Sequence, residues 1–407
     1  MKITTTAPAK LILLGEHSVV YGQPALATAL DLKTTVQIIT ENFCEISNIP
    51  VISVDLLSFD IKNIRINYYE DQFYYEESVK KFSNSVQNSI KAITLLLNKL
   101  KLDNHPVHKM GLKIIVSSNI PVGCGLGSSA AFSVAVSSAL MRLVGNFKNS
   151  VFELANELEK TFHENPSGID VYVSYHGGLV EFKKTEHGFC HHNGDTTNFR
   201  PTSTCPTPSP HAVINGSSMT INTQIQNAPT SNPEDSKTFA KSQCKKYVAK
   251  QIDVKNITNL IKIEIVNTNI NRSSKSIVNK VRKLYNENPE FVNFTCQAIT
   301  ALLNQFKEQL KNSHSKSPSM TNLSKILEKN HHLLNGLGCG HPSIDKIFYL
   351  AKNKYHTVMK ITGAGGGGCL FSIENLNEDL RSELNDLGFS TFTTSILASG
   401  LSIEQKL

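Results

Sequence analysis

The sequence predicts an α+β protein built from two domains. A strand pattern over residues 112–116 leads through a glycine-rich loop into an Ala-, Ser- and Val-rich helical pattern that reaches about Leu143. A second strand pattern, over 262–266, comes before a series of helical patterns. The sequence between these regions is rich in Pro, Ser and Thr. We therefore predict an amino-terminal domain over 1–186, a low-complexity, disordered insertion over 187–260 and a carboxyl-terminal α+β domain over 261–407.

The spacing of apolar residues predicts the remaining elements. In the amino-terminal domain it predicts helices over 77–100 and 151–163 and a strand over 177–182. In the carboxyl-terminal domain it predicts helices over 274–285, 289–310, 320–334 and 343–352. Two further strands are expected on either side of the glycine-rich stretch 363–368.

Composition narrows the class of protein. The chain has 407 residues, of which 40% are hydrophobic, and this is enough for two domains with cores. Its formal net charge of +7 is spread along the sequence and aromatic residues make up only 7%, so an anionic small-molecule substrate is favoured over a nucleic acid. No apolar span or signal-peptide pattern predicts contact with a membrane. The eight cysteines form no C-x-x-C pair, which predicts reduced thiols in a cytoplasmic protein.

The glycine-rich loop between the first strand and its helix predicts a phosphate-binding site. Its sequence is Pro-Val-Gly-Cys-Gly-Leu-Gly-Ser-Ser over residues 121–129. Glycines allow the backbone to approach a ligand closely, and the start of a helix offers unpaired N–H groups to an anion. Taken alone, the same pattern also fits a tight turn with a helix cap.

Three other stretches carry candidate functional side chains. Lys10 follows Ala7-Pro8-Ala9 near the amino terminus and is itself followed by Gly15-Glu16-His17. Glu159 lies on a predicted helix, and the turn 165–168 leads from that helix to Asp170. Near the end of the chain, Gly363-Ala364 precedes four consecutive glycines, more than a two-residue hairpin turn requires. Each of these residues, taken singly, also fits an ordinary surface or capping position.

These four stretches, in this order, resemble the GHMP superfamily of small-molecule kinases, named for galactokinase, homoserine kinase, mevalonate kinase and phosphomevalonate kinase. Within it they are most similar to the mevalonate kinase family, because Ser18-Val19-Val20-Tyr21-Gly22 follows Gly15-Glu16-His17 where galactokinases carry an acidic residue and a tyrosine. The resemblance implies an active site in a cleft between two domains. It also implies ATP- and Mg²⁺-dependent phosphorylation of the C5 hydroxyl of mevalonate, in isoprenoid and sterol biosynthesis, by a homodimer.

The resemblance also implies roles for individual residues. Asp170 would accept the proton of the substrate hydroxyl, Lys10 would support it and the transferring phosphoryl group, and Ser129 and Glu159 would hold Mg²⁺. The nucleotide would contact Lys10, Ser118, Gly123, Cys124, Gly125, Leu126, Gly127, Ser128 and Ser129. The substrate would contact Glu16, His17, Asp170, Thr268 and Gly365, and the stretch 363–368 would close over the nucleotide site. Ala9 and Cys124 depart from the usual glycine and alanine of the family, and both are compact.

Other classes remain as alternatives. Gly125-x-Gly127-x-x-Ala130 fits a dinucleotide-binding fingerprint, but Pro121 and Gly123 separate it from its strand and no acidic residue lies about twenty positions on. No G-x-x-x-x-G-K-[ST] motif is present, so a P-loop NTPase is excluded. Another small-molecule kinase of the same superfamily, or a nucleotide-binding relative without catalysis, stays open.

Overall fold

The computed structural model describes residues 1–41, 52–70, 72–101, 111–145, 150–163, 166–184, 247–252, 262–270, 274–311 and 319–406. Met1–Lys184 and Ala249–Leu407 belong to one compact unit. Most of the predicted insertion 187–260 lies outside the described residues.

The strands are numbered in chain order. They are β1 Lys2–Leu14, β2 Pro24–Glu41, β3 Ile52–Leu56, β4 Ile61–Tyr69, β5 Gln72–Tyr75, β6 Gly111–Ser118, β7 Leu179–Lys184, β8 Tyr247–Ile252, β9 Lys262–Asn267, β10 Lys360–Ile361, β11 Cys369–Ser372, β12 Ser390–Ser395 and β13 Ser402–Lys406. The α-helices are α1 Asn84–Lys99, α2 Ser128–Val144, α3 Val151–Phe162, α4 Ile169–His176, α5 Ser274–Glu287, α6 Pro289–Lys311, α7 Met320–Gly336, α8 Pro342–Tyr355 and α9 Glu378–Asp386.

The larger sheet is organised around the long strand β2. Among the described residues it has nine strands, with the order β13-β1-β2-β6-β3-β4-β5, and β7 pairs with both β2 and β8. The end of β2 near Thr34–Glu41 pairs with β6, whereas its start near Pro24–Thr28 pairs with β7. One edge of β2 therefore pairs with β6 toward the end of the strand and with β7 toward its start. The sheet divides between these two pairings.

Helix α2 covers the middle of this sheet. Nearly all of its residues are buried, and most are Ala, Ser or Val. Such small side chains let a helix lie close to its neighbours. The Thr5 hydroxyl of β1 reaches the helix backbone and donates to the carbonyl oxygen of Ala135 at 2.7 Å. Strand β6, the glycine-rich loop and α2 follow one another in the chain, so the predicted order of strand, loop and helix is confirmed.

The helix predicted over 77–100 is wrong at its start. Glu77–Lys81 form a short 3₁₀ helix, and Phe82 and Ser83 then have extended backbone angles. The α-helix α1 begins only at Asn84, because two extended residues interrupt the hydrogen-bonding pattern that a continuous helix requires. Its buried face includes Val86, Ile90, Ile93 and Leu97, the residues whose spacing predicted a helix.

The smaller sheet belongs to the carboxyl-terminal part of the chain. Its order is β10-β11-β9-β12, and every pairing is antiparallel. The helices predicted over 274–285, 289–310, 320–334 and 343–352 correspond to α5, α6, α7 and α8. Val266, Ile361 and Leu370 of this sheet pack with apolar residues of these helices in a second core cluster.

Two strands lie where the predicted domain boundaries did not put them. The last strand, β13, pairs with β1 and so joins the first sheet, although the domain prediction assigns it to 261–407. Strand β8 pairs with β7, although it lies within the predicted disordered insertion 187–260. That prediction rested on the composition of the whole stretch, and a short β-forming sequence at its end is lost in such an average.

Two further properties concern only the described part of the chain. It contains no helix that combines the length and the apolar character needed to cross a membrane. Its four cysteines, Cys124, Cys296, Cys339 and Cys369, are buried.

Candidate active site

Lys10 is held on the edge of the glycine-rich loop. It lies within β1, directly after a register shift between Pro8 and Ala9 in the pairing with β2. Its backbone N–H donates to the carbonyl oxygen of Leu126 at 2.8 Å, and only 4% of the residue is exposed. A bulge redirects a strand and its side chains locally. The ammonium group is thereby fixed on a rigid element beside the loop.

The Lys10 ammonium forms an ion pair with Asp170. Its Nζ lies 3.1 Å from Asp170 Oδ1, and 28% of the Asp170 side chain remains exposed. Asp170 is in the first turn of α4, after Gly168, which adopts the left-handed conformation with a φ of 84°. An acidic side chain is favoured in a first helical turn, because the N-terminal end of a helix is positive. The partly exposed carboxylate therefore faces solvent or a ligand while the lysine anchors it.

The glycine loop, residues 123–129, carries three glycines with positive φ. These angles are 78° at Gly123, 82° at Gly125 and 77° at Gly127, a region that L-residues rarely adopt. At Gly127 a Cβ atom would lie 2.8 Å from Lys10 Cγ, so only glycine lets the loop and the lysine approach. Helix α2 begins directly afterwards with no side-chain cap. Its first N–H groups are thus suited to bind an anion.

Ser129 and Glu159 come together at the start of α2. The Ser129 hydroxyl donates to Glu159 Oε2 at 3.2 Å, and the Ser133 hydroxyl donates to Oε1, also at 3.2 Å. Glu159 is 1% exposed. Burial, followed by the negative charge of Asp170, raises the pKa of Glu159 to about 8. Burial therefore disfavours the ionised form of Glu159, and a bound cation would stabilise that form.

This donor set suits Mg²⁺ better than a metal held by protein alone. No group of three or more His, Cys, Asp or Glu residues that could hold a metal ion occurs in the described ranges. Mg²⁺ commonly takes one or two protein oxygens together with waters and substrate phosphates. The Ser129 hydroxyl and the Glu159 carboxylate, beside a phosphate-binding loop, fit that pattern.

Glu16 and His17 form hydrogen bonds with the carboxyl-terminal part of the chain. Glu16 Oε1 accepts from Lys360 Nζ at 2.5 Å, and Glu16 Oε2 accepts from Asn330 Nδ2 at 3.4 Å. His17 has a φ of 60°, and its Nε2 lies 2.9 Å from the carbonyl oxygen of Ala364, so this nitrogen carries the proton. The amino-terminal motif therefore contacts both Lys360 of β10 and the glycine turn that follows it.

The glycine turn, residues 363–368, leaves no space for a side chain at Gly365. At Gly365 a Cβ atom would lie 2.2 Å from the carbonyl oxygen of Cys339, and Gly366 N–H donates to that oxygen at 2.8 Å. Thr268 N–H donates to the carbonyl oxygen of Gly368 at 2.8 Å. Three predicted substrate residues thus meet at this turn. Gly365 is part of it, and Thr268 and His17 are each hydrogen-bonded to it.

Ser118 is the last residue of β6, and residues 119–122 lie between it and the glycine loop. Its hydroxyl lies 2.9 Å from Thr34 Oγ1 and accepts from Ile120 N–H at 3.2 Å. These bonds hold the turn that follows β6. A direct contact of Ser118 with nucleotide stays a prediction.

Four residues of this region were missed by sequence reasoning. Lys360 and Asn330 bind Glu16, the Thr362 hydroxyl donates to the carbonyl oxygen of Ile12 at 3.1 Å, and His163 Nε2 lies 3.3 Å from Ser129 Oγ. Only Lys360 had a signal in the sequence, because it is a lysine within an apolar strand pattern just before the glycine turn. The other three side chains look like ordinary polar residues until the fold brings them together.

A glycine loop with a lysine–aspartate pair and a serine–glutamate pair beside it has the groups that an ATP-dependent small-molecule kinase requires. The chain belongs to the GHMP kinase family: residues 87–178 match the model of the GHMP kinases N terminal domain, and residues 306–388 match the model described as GHMP kinases C terminal. The first match contains the glycine loop, Glu159 and Asp170. The second contains Lys360 and the glycine turn.

Within this family, curated relatives of the chain include several mevalonate kinases. The chain is 26% identical to the mevalonate kinase of Pyrococcus furiosus over 408 residues, which cover 100% of this chain and 99% of the relative. It is 28% identical to that of Thermococcus sibiricus, covering 99% of each chain. It is 27% identical to that of Candida albicans, covering 98% of this chain and 88% of the relative.

Solved structures of the same family share the fold. The crystal structure of L. major mevalonate kinase in complex with R-mevalonate aligns with a TM-score of 0.64 at 20% identity, covering 97% of this chain and 96% of the other. The Methanococcus jannaschii mevalonate kinase aligns with a TM-score of 0.62 at 21% identity, covering 98% of each. Lactococcus lactis galactokinase complexed with galactose has a TM-score of 0.58 at 14% identity, covering 99% of this chain and 95% of the other. The fold is therefore common to kinases of different substrates.

Proposed function

We propose that this protein transfers the terminal phosphoryl group of ATP to the primary C5 hydroxyl of mevalonate, giving 5-phosphomevalonate for isoprenoid and sterol biosynthesis. The observation that carries the proposal is the 3.1 Å contact between Lys10 Nζ and Asp170 Oδ1 beside the glycine loop. The choice of mevalonate rests on three curated relatives named mevalonate kinase, of whose length the match covers between 88% and 99%.

The chemistry follows from the charges around Asp170. A positioned carboxylate accepts the proton of the attacking hydroxyl, and the partial exposure of Asp170 leaves it accessible to that hydroxyl. Lys10 orients the carboxylate and stabilises negative charge that develops on the transferring group. The backbone N–H groups of the glycine loop and of the start of α2 would bind the phosphates.

Ser129 and Glu159 are the residues proposed to hold Mg²⁺. When bound, Mg²⁺ neutralises charge on the phosphates. Ser133 donates to the other oxygen of Glu159 and so orients the carboxylate toward Ser129. Glu16, His17, Thr268 and Gly365 are the proposed substrate contacts. Gly365 is part of the glycine turn, and His17 and Thr268 are hydrogen-bonded to it, which supports the assignment of these three. The family resemblance supports a homodimer, and the lack of a C-x-x-C pair in the sequence supports a cytoplasmic location.

A coupled assay of ADP release tests the proposal. The full chain is incubated with ATP and Mg²⁺ and, in parallel, with mevalonate, phosphomevalonate, homoserine or galactose. We expect turnover with mevalonate far above that with the other three alcohols. Preference for another alcohol would assign a different kinase activity within the family, and ATP binding without turnover of any alcohol would favour a non-catalytic relative.

A further inference from the structure

A fully buried ion pair lies at the substrate end of the site. Lys360 is 0% exposed and Glu16 is 1% exposed, and their charged atoms are 2.5 Å apart. Lys360 Nζ also donates to the carbonyl oxygen of Ile361 at 2.8 Å and lies 5.4 Å from the centre of the Phe371 ring. Burial lowers the pKa of Lys360, and the charge of Glu16 opposes that effect. Removal of two charges from water is costly, so such a pair is a weak source of stability.

Asn330 adds a second unusual feature. It is 0% exposed, and its Nδ2 donates to the second carboxylate oxygen of Glu16 at 3.4 Å. Its Oδ1 has no hydrogen-bond partner within the described residues. A buried acceptor without a donor lowers stability. We call Lys360 and Asn330 the Glu16 clamp, because together they contact both oxygens of that carboxylate.

The clamp joins two chain segments that carry proposed substrate residues. Glu16 precedes His17, whose φ of 60° is unusual for a residue other than glycine. Lys360 precedes the glycine turn, and the His17 ring contacts the carbonyl oxygen of Ala364 in that turn. One buried ion pair therefore fixes the amino-terminal motif against the glycine turn. Among the described residues, Lys360 and Asn330 form no hydrogen bond or ion pair with the glycine loop, Ser129 or Glu159.

We infer that Lys360 and Asn330 are positioning residues of the acceptor side of the site, which act through Glu16 and His17 on the binding of the acceptor alcohol. The inference rests on the proposed function, because it needs an acceptor alcohol to be bound there. Groups that lower stability and yet lie together at a binding site are typical of functional rather than structural selection. The clamp fixes the positions of Glu16 and His17, and a loosened clamp leaves the ATP contacts unchanged.

Steady-state kinetics of three variants test this. Lys360→Met removes the charge with little change in length, and Asn330→Ala leaves both charges of the pair in place. Lys307→Met is the matched control, because Lys307 forms a 2.8 Å ion pair with Glu181 between α6 and β7, away from the clamp. KM for mevalonate is measured at saturating ATP, KM for ATP is measured at saturating mevalonate, and the melting temperature of each variant is recorded.

We expect Lys360→Met to raise the KM for mevalonate about tenfold or more, the effect of losing a hydrogen bond between charged groups. Asn330→Ala should act in the same direction, by about threefold or more. KM for ATP should change less than about threefold in both, and the control should keep both constants. If the two KM values rise together, or if only the melting temperature falls, the clamp is merely structural and the inference is wrong.

Two further outcomes are also decisive. If Lys360→Met does not fold, Asn330→Ala decides by the same comparison of the two KM values. Turnover of mevalonate by the unmodified protein reports separately on the proposed function. If another alcohol of the panel is turned over instead, that alcohol replaces mevalonate in the same measurements. If none is turned over, the proposed function and the inference are both wrong.

Discussion

Lys10 Nζ and Asp170 Oδ1 lie 3.1 Å apart, on a strand of the large sheet and in the first turn of α4. The lysine is nearly buried, whereas the aspartate is partly exposed, so the carboxylate is the more accessible of the two charged groups. Gly127 makes this possible because a side chain there would occupy the space of Lys10.

The first prediction concerns Asp170. Asp170→Asn should lower kcat by about a hundredfold to ten-thousandfold, because an amide cannot accept the hydroxyl proton. Its KM for ATP should stay nearly unchanged, since the residue is proposed as a base and not as a nucleotide contact. Asp31→Asn is the control, because Asp31 pairs with Lys33 at the surface at 2.7 Å. Near-normal kcat in Asp170→Asn would contradict the assignment of the base.

The second prediction concerns the space beside Lys10. Gly127→Ala should reduce kcat by roughly tenfold to a hundredfold, because its Cβ would displace the lysine side chain from Asp170. Gly145→Ala has the same backbone strain, with a φ of 60°, but its Cβ would meet no atom within 4 Å. The control should therefore lower the melting temperature without lowering kcat. Equal losses of kcat in the two variants would show that backbone strain, not displacement of Lys10, is the cause.

The third prediction separates a metal ligand from its neighbour. Ser129 and Ser133 both donate to Glu159 at 3.2 Å, but only Ser129 belongs to the glycine loop. Ser129→Ala should raise the Mg²⁺ concentration for half-maximal velocity by about tenfold. Ser133→Ala should raise it by less than Ser129→Ala does, because it removes a bond that orients the Glu159 carboxylate but neither of the proposed oxygen ligands. Equal Mg²⁺ requirements in the two variants would remove Ser129 from the proposed ligands.

The fourth prediction concerns stability against pH. Burial, together with the charge of Lys360, lowers the pKa of His331 from 6.5 to about 3, and its Nδ1 accepts from Ile361 N–H at 3.3 Å. Below pH 6.5 the unfolded chain binds a proton that the folded protein does not, so the stability that neutral His331 contributes is lost as pH falls toward 3. His331→Gln cannot titrate and should lack this part of the pH dependence.

Urea unfolding of both proteins between pH 7 and pH 4 measures the difference. The wild-type free energy of unfolding should fall faster with decreasing pH than that of His331→Gln, by up to about 1.4 kcal/mol per pH unit. Carboxylates that titrate in the same range contribute equally to both proteins and cancel in the comparison. Parallel curves would mean that His331 titrates near its ordinary pKa in the folded protein.

Much of the local structure could be predicted from the sequence. The helix that starts at Ser128 and the four helices of the carboxyl-terminal part were predicted because their apolar residues recur at helical spacing. The start of α1 was missed because nothing in the spacing of apolar residues records the two extended residues before Asn84. Strand β8 was missed because composition was averaged over a long stretch.

The sequence by itself determined the chemistry that is available: a lysine, two carboxylates, a serine and two glycine-rich segments, each placed on or next to a local element by its spacing. Only the tertiary structure decided which of these groups meet. The pairing of Glu16 with Lys360 joins residues 344 positions apart, and its energy depends on the exclusion of water by the packed chain around it. Local patterns carry no record of such burial, because it is a property of the whole fold.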